Sequence, residues 1–179
     1  MLSSILLIYT GGTIGMKADS EGVLHPFDFS QIVSEVPELE KFACRIDYRV
    51  FDPLIDSSDV EPSMWSRLAL MIRDAYDDYD GFVVLHGTDT MAYSASALSF
   101  MLENLGKPVI FTGSQIPISQ LRSDGIDNIV NSVVIAASDK VHEVCLYFDG
   151  KLLRGNRTTK MSSDQFGAFE SPNAPPLAE

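Results

Sequence analysis

Hydroxyl side chains stand beside glycines at three places in this chain, and a fourth cluster joins hydroxyls to carboxylates. Thr10-Gly11-Gly12-Thr13-Ile14-Gly15 follows the apolar run Ile5-Leu6-Leu7-Ile8-Tyr9, and His86-Gly87-Thr88-Asp89-Thr90 follows Phe82-Val83-Val84-Leu85. Thr112-Gly113-Ser114-Gln115 follows Val109-Ile110-Phe111, while Asp56-Ser57-Ser58-Asp59 lies between the first two motifs. An alcohol becomes a nucleophile when a base removes its proton and a third group orients that base. Glycines at such turns let a ligand reach the backbone without meeting a Cβ. Any one of these stretches, taken singly, reads as an ordinary turn. Their repetition at strand ends argues for a pocket holding a small polar ligand.

The base is harder to find. His86 precedes a glycine turn and reads as support for its loop, and His25 and His142 have no triad partner near them in the sequence. Thr88, Asp89 and a lysine form another relay, provided burial favours the neutral amine. Lys160 is one candidate, although by spacing alone it reads as a surface lysine in a polar loop. The glycines do not fit a dinucleotide fingerprint, since Thr13 and Met16 stand where G-x-G-x-x-G counted from Gly11 needs glycine. No Gly-Lys-Ser/Thr phosphate loop occurs.

The elements that must position these groups alternate between strand and helix. The three apolar runs predict central parallel strands, which read as continuous hydrophobic stretches because both faces are covered. Residues 45–51 alternate apolar with charged and predict a strand nearer the edge. Helices are expected over 29–39 with Asp28 as cap, from Pro62 through Trp65, Leu68, Ile72 and Tyr76, and from Met91 to Leu105 with Gly106 as the C-terminal stop. A further helix is expected over 125–137, capped by Asp124 or Ser123. Asp74, Asp77, Asp78 and Asp80 read as solvated surface charge. Residues 16–26 form a polar loop long enough to cover a site. Asp149-Gly150 between two apolar runs predicts a hairpin. The fold class that follows is α/β: a three-layer, mostly parallel open sheet with helices on both faces, plus a C-terminal β-hairpin. In an open parallel sheet the strand ends share one rim, so their polar groups converge.

At 179 residues the chain can bury roughly 70% of its unfolded surface as one domain. The net charge of −12 disfavours nucleic acid and anionic membrane surfaces as partners. Cys44 and Cys145 fit no metal or redox spacing and read as free thiols of a reducing, cytoplasmic compartment. The N-terminal apolar run leads into Thr-Gly-Gly and reads as a strand, not a signal peptide. Residues 1–170 read as one catalytic domain and the Pro-rich 171–179 as the start of a linker.

The motifs also occur in a specific order. Thr10 to Ile14, Asp56 to Asp59, His86 to Met91, Thr112 to Gln115 and Arg154-Gly155-Asn156-Arg157-Thr158-Thr159-Lys160 together resemble the bacterial-type L-asparaginases, most closely the cytoplasmic type I enzymes. The resemblance covers only the N-terminal domain of that family, so this chain is expected to stop where a smaller C-terminal domain begins. It implies that L-asparagine is hydrolysed to L-aspartate and ammonia. Thr13 would be the nucleophile forming a β-aspartyl ester, and Thr88, Lys160 and Asp89 a second triad; how the two threonines divide the work is open. Asp89 would hold the α-ammonium, Ser57 with Asp56 and Ser58 the α-carboxylate, and Ser114 would lie at the substrate. Backbone N–H groups near Thr13 and Thr88 would stabilise the oxyanion. No metal or cofactor is implied, and the full-length protein would be a homodimer or homotetramer.

One departure from the family pattern is that its lid tyrosine is missing: residues 16–26 contain none, and Val23 and Leu24 stand there. With the C-terminal domain also absent, the activity of the isolated chain stays open. The glutaminase-like subunit of a tRNA-dependent amidotransferase and a non-catalytic amino-acid-binding domain are the competing readings. The first carries an extra N-terminal domain, whereas this chain goes straight into its first strand.

Overall fold

The computed structural model describes residues 2–19, 21–26 and 35–179. Its main sheet has six strands: β1 (Ser3–Tyr9), β4 (Cys44–Val50), β5 (Gly81–Leu85), β6 (Val109–Thr112), β7 (Val144–Phe148) and β8 (Lys151–Arg154). Their spatial order is β4-β1-β5-β6-β7-β8, parallel up to β7 and antiparallel between β7 and β8. The sequence-predicted hairpin is therefore the last pair of the main sheet. Asp149 and Gly150 both take positive φ, as a two-residue turn of this kind requires.

Side chains alternate across this sheet with the period of two that a strand imposes. Leu6, Ile8, Phe82, Val84 and Phe111 point to one face, where α1 (Pro62–Asp74) and α2 (Met91–Met101) cover them with Met64, Leu68, Ile72, Met91, Ala95 and Leu98. Ile5, Leu7, Val83, Leu85 and Ile110 point to the other, where α3 (Gly125–Ala136) supplies Ile129, Val133 and Ala136. Burial on both faces explains why β1, β5 and β6 read as unbroken apolar runs. β4 is the edge strand the alternating charge foretold, and its Tyr48 and Val50 are half-exposed.

Several boundaries differ from the sequence reading. Residues 28–34 of the expected first helix, with its cap Asp28, lie outside the described residues. Pro37 opens a 3₁₀ turn, Pro37–Lys41, that buries Leu39. α2 ends at Met101, so Leu102 and Leu105 lie beyond it, and Asn104 rather than Gly106 takes the left-handed conformation after it. Asn tolerates that conformation because its short amide bonds locally; the Gly106 N–H instead donates to the Tyr76 hydroxyl. Residues 16–26, expected as a loop, contain a hairpin of β2 (Met16–Ala18) and β3 (Leu24–Pro26). The Asp19 carboxylate closes its turn by accepting the N–H groups of Glu21 and Val23, each at 2.9 Å.

The Pro-rich end also folds back. Leu152 of β8 donates to the Ala178 carbonyl at 2.9 Å and accepts from the Leu177 N–H at 2.7 Å, while Leu177 packs on the α3 side of the core. Among the described residues no helix is long and apolar enough to cross a membrane.

Phe82 is fully buried and stacks on Tyr76, whereas Phe100 on the outer face of α2 is 72% exposed. Phe82→Ala is expected to lower unfolding stability by about 3–5 kcal/mol and Phe100→Ala by less than about 0.5 kcal/mol, read by urea denaturation.

Candidate active site at the strand ends

The polar motifs follow the carboxyl ends of β1, β5 and β6, and backbone bonds carry the ladder one residue past β1 and β5. Thr10 N–H and hydroxyl both donate to the Leu85 carbonyl at 3.0 Å, and His86 N–H donates to the Thr112 carbonyl at 2.9 Å. The Thr112 hydroxyl continues to the Tyr147 carbonyl at 2.8 Å. Thr10 and Thr112 therefore satisfy strand-end carbonyls that would otherwise be buried without a donor.

Beyond these stitches the loops touch through their glycines. Gly12 has φ +96°, and a Cβ there would lie 2.5 Å from the Gly87 nitrogen. A Cβ on Gly87 would run into the Ser57 hydroxyl. No larger residue fits either position, so the β1, β5 and Ser57 loops close on one another backbone to backbone. Ser57 opens a 3₁₀ turn, Ser57–Asp59, capped by the Asp56 carboxylate through the Ser58 N–H at 2.9 Å. The Thr90 hydroxyl on the far side of Asp89 donates to the Ser57 carbonyl at 2.6 Å.

A cavity of about 240 Å³ opens where these loops meet, lined among others by Thr13, Asp56, Ser57, Thr88 and Asp89. It lies below the ~300 Å³ typical of drug-sized ligands and suits an amino acid. At its rim Lys160, from the two-residue β9 (Thr159–Lys160), donates to Thr88 Oγ1 at 2.9 Å and to Asp89 Oδ1 at 2.8 Å. The other Asp89 oxygen accepts from the Ser57 hydroxyl at 3.4 Å. The Lys160 side chain is largely buried and that of Asp89 is 60% exposed. Asp89 and Lys160 also face a second polar hollow, shared with Tyr93, Thr158 and Ser162. A larger cleft between the ends of α1 and α2, lined by Leu70, Tyr76 and Met101, contains none of the strand-end polar groups.

Thr13, Asp56, Ser57, Thr88, Asp89 and Lys160 are thus brought together, and two other expected site residues are not. Ser58 is exposed and bonds back to Asp56 at 2.9 Å. Ser114 is buried, its hydroxyl donates to the Ile116 carbonyl at 2.6 Å, and it does not line the cavity. Tyr9, Met16, Leu54 and Ile55 do line it, although the sequence marked them only as core or loop. The Tyr9 hydroxyl donates to the Gly12 carbonyl at 3.2 Å, steadying the loop that carries Thr13. Asp124 stands at the N-cap of α3 as expected, but its carboxylate accepts the Gln115 and Ile116 N–H groups and holds the loop after β6, while the Ser123 hydroxyl takes the Gly125 N–H.

Residues 4–179 match the family model described as asparaginase, N-terminal. The chain belongs to the asparaginase family. It is 53% identical to L-asparaginase 1 of Escherichia coli K12, over 98% of this chain and 53% of that protein. The crystal structure of L-asparaginase I from Vibrio cholerae superposes with a TM-score of 0.91 at 50% identity, over 99% of this chain and 53% of that one. A glutamyl-tRNA(Gln) amidotransferase polypeptide of Aeropyrum pernix is 39% identical, over 97% of this chain and 43% of that protein. The chain therefore spans about half the length of the asparaginases it matches. In this asparaginase-family domain, Val23 stands where the resemblance expects a lid tyrosine. It is 51% exposed at the hairpin turn and does not line the cavity.

Burial sets the protonation of Tyr9 and His86, and hydrogen bonds that of Asp56. It pushes the Tyr9 phenol up to about 12, so Tyr9 stays a neutral donor. Hydrogen bonds from the Ser58 N–H and hydroxyl hold Asp56 below the usual carboxylate range, which keeps it ionised. His86 is pushed down to about 4, chiefly by loss of water around the ring, with a smaller opposing effect from its bond to the Gly87 carbonyl. An unfolded histidine binds a proton near pH 6.5, so between pH 6.5 and 4 the unfolded chain carries more protons and folding weakens as pH falls. His86 is expected to remove about 2 kcal/mol of stability between pH 7 and pH 5. Urea titrations at the two pH values should show that loss in the wild type, and His86→Gln should lack this part of it.

Proposed function

We propose that this domain carries the nucleophile and substrate cradle of an L-asparaginase, residues 1–170 being the catalytic domain and 171–179 leading towards a second domain. The observation that carries the reading is Lys160 Nζ bridging Thr88 Oγ1 and Asp89 Oδ1 at the mouth of a cavity that Thr13 also lines. Thr13 attacks the side-chain carbonyl carbon of asparagine, the tetrahedral oxyanion sits against backbone N–H groups of the glycine loops, and the amide nitrogen leaves as ammonia. Water then opens the β-aspartyl ester to release aspartate. Thr88 and Lys160 pass the proton that each attack releases to the leaving group, and Asp89 orients the lysine. The exposed Asp89 carboxylate pairs with the substrate ammonium, and Ser57 receives its α-carboxylate with Asp56 and Ser58 shaping the turn. The reaction needs no metal or cofactor.

In the full-length protein, a homodimer or homotetramer, the half that follows this chain would complete the cover over Asp89. The two cysteines, both free, suit a cytoplasmic location. The amidotransferase relative keeps glutamine in view as the amide donor, and one methylene is worth only ~1–3 kcal/mol of discrimination in such a pocket.

Ammonia release from asparagine and glutamine by the full-length protein tests the reading. Thr13→Ala is expected to lower kcat on the order of 10³-fold or more, and Lys160→Met about 10²–10⁴-fold. Turnover by Thr13→Ala at the wild-type rate would remove Thr13 from its role. Amino-acid binding without any ammonia would make this a binding domain instead.

A further inference from the structure

A buried polar chain runs behind Thr88, and it touches neither Thr13 nor Lys160. Trp65 of α1 has its indole Nε1 2.9 Å from Ser94 Oγ of α2, and Ser94 Oγ is 2.9 Å from His86 Nε2. On the other side of the same ring, His86 Nδ1 is 2.7 Å from the Gly87 carbonyl oxygen. Ser94 is fully buried, His86 nearly so, and the imidazole packs against Phe111 with 5.9 Å between ring centroids.

The direction of every bond in this chain is forced. Indole N–H only donates, so Ser94 Oγ accepts from Trp65 and has its single hydrogen left for His86 Nε2. A carbonyl only accepts, so Nδ1 must carry the imidazole proton and give it to Gly87. Both ends select the same neutral tautomer. The opposite one would set a bare Nδ1 lone pair against the Gly87 oxygen and leave two hydrogens competing between Ser94 and Nε2.

We propose that Trp65, Ser94 and His86 form a positioning relay that pins the Gly87 carbonyl, and through it holds the Thr88 hydroxyl in line with Lys160. Gly87 is also packed against Gly12 and the Ser57 hydroxyl, with no room for a side chain. The hydrogen bond and this packing together restrict rotation of the Gly87–Thr88 peptide. Thr88 then faces Lys160 without reorganising during turnover. Three elements set this one torsion: the end of β5, the first turn of α2 and the start of α1. His86 acts through Thr88 and does not touch substrate. The inference rests on the proposed asparaginase reaction for its kinetic consequence but not for its geometry.

Two measurements on the full-length protein separate the relay from the reaction. The ¹⁵N spectrum of histidine-labelled protein should show His86 as the neutral Nδ1–H tautomer, and an Nε2–H signal would overturn the relay whatever the activity. Kinetically, Ser94→Ala should lower kcat about 10- to 100-fold, the cost of a slightly misplaced catalytic group, and leave KM within about twofold. His86→Asn, whose amide can replace the Nδ1 donor, should recover more kcat than His86→Leu. Trp65→Phe, which breaks only the far end, should slow Thr88 less than Ser94→Ala does. Folded Ser94→Ala with wild-type kcat, or equal losses for His86→Asn and His86→Leu, would reduce the chain to ordinary core packing. Should the wild type release no ammonia, the reaction fails, and the relay is judged by the tautomer and by whether Ser94→Ala speeds hydrogen exchange at the Thr88 amide.

Discussion

Two glycine backbones in contact, Gly12 after β1 and Gly87 after β5, are the constraint on which the site depends. Thr13 and Thr88 are 75 residues apart in sequence and belong to neighbouring strands. Neighbouring strands lie about 4.8 Å apart, so two loops leaving their ends compete for the same space. Any side chain at Gly12 or Gly87 would push the loops apart and turn the threonines into separate surroundings. With no Cβ at either position, the loops close on each other and Ser57 packs in behind. One cavity then receives both alcohols and the Asp89 carboxylate, and the Lys160 amine meets them from its rim.

The sheet makes that contact repeatable. β1 and β5 pair in parallel from Ile5 with Gly81 to Tyr9 with Leu85, and both apolar faces are sealed by helices. The strand ends are thereby held in register by the core, and Thr10, His86 and Thr112 extend the bonding beyond it. Rigidity is therefore greatest beneath the chemistry. The parts that face outward, Asp89 and the turn at Val23 between β2 and β3, are exposed, and there substrate and any covering element must approach.

Much of this was legible in the residues because parallel strands buried on both faces leave a plain signature. Ile5 to Tyr9, Phe82 to Leu85 and Val109 to Phe111 are all strands, and Asp149-Gly150 is the turn it promised. Local chemistry was less reliable where two residues could do one job. Asn104 took the left-handed position that suits Gly106 on paper, and Asp124, at the N-cap of α3, gave its carboxylate to the backbone N–H groups of the loop after β6 rather than to those of the helix. Residues 16–26 carry too little apolar pattern to announce a hairpin, and only the Asp19 bonds show why one forms. The resemblance put Ser114 at the substrate, yet its hydroxyl is spent on Ile116. Lys160 was a candidate from its residue type but by spacing read as a surface lysine, since 71 residues and a hairpin separate it from Asp89; the resemblance gave it its role.

The measurement that bears most directly on the shared cavity is a crystal structure of the full-length protein with L-aspartate bound. The account predicts the ligand between Thr13 and Thr88, its side-chain carboxyl within hydrogen-bonding reach of both hydroxyls and its α-carboxylate on Ser57. Aspartate seated elsewhere, with Thr13 and Thr88 opening onto different cavities, would contradict it.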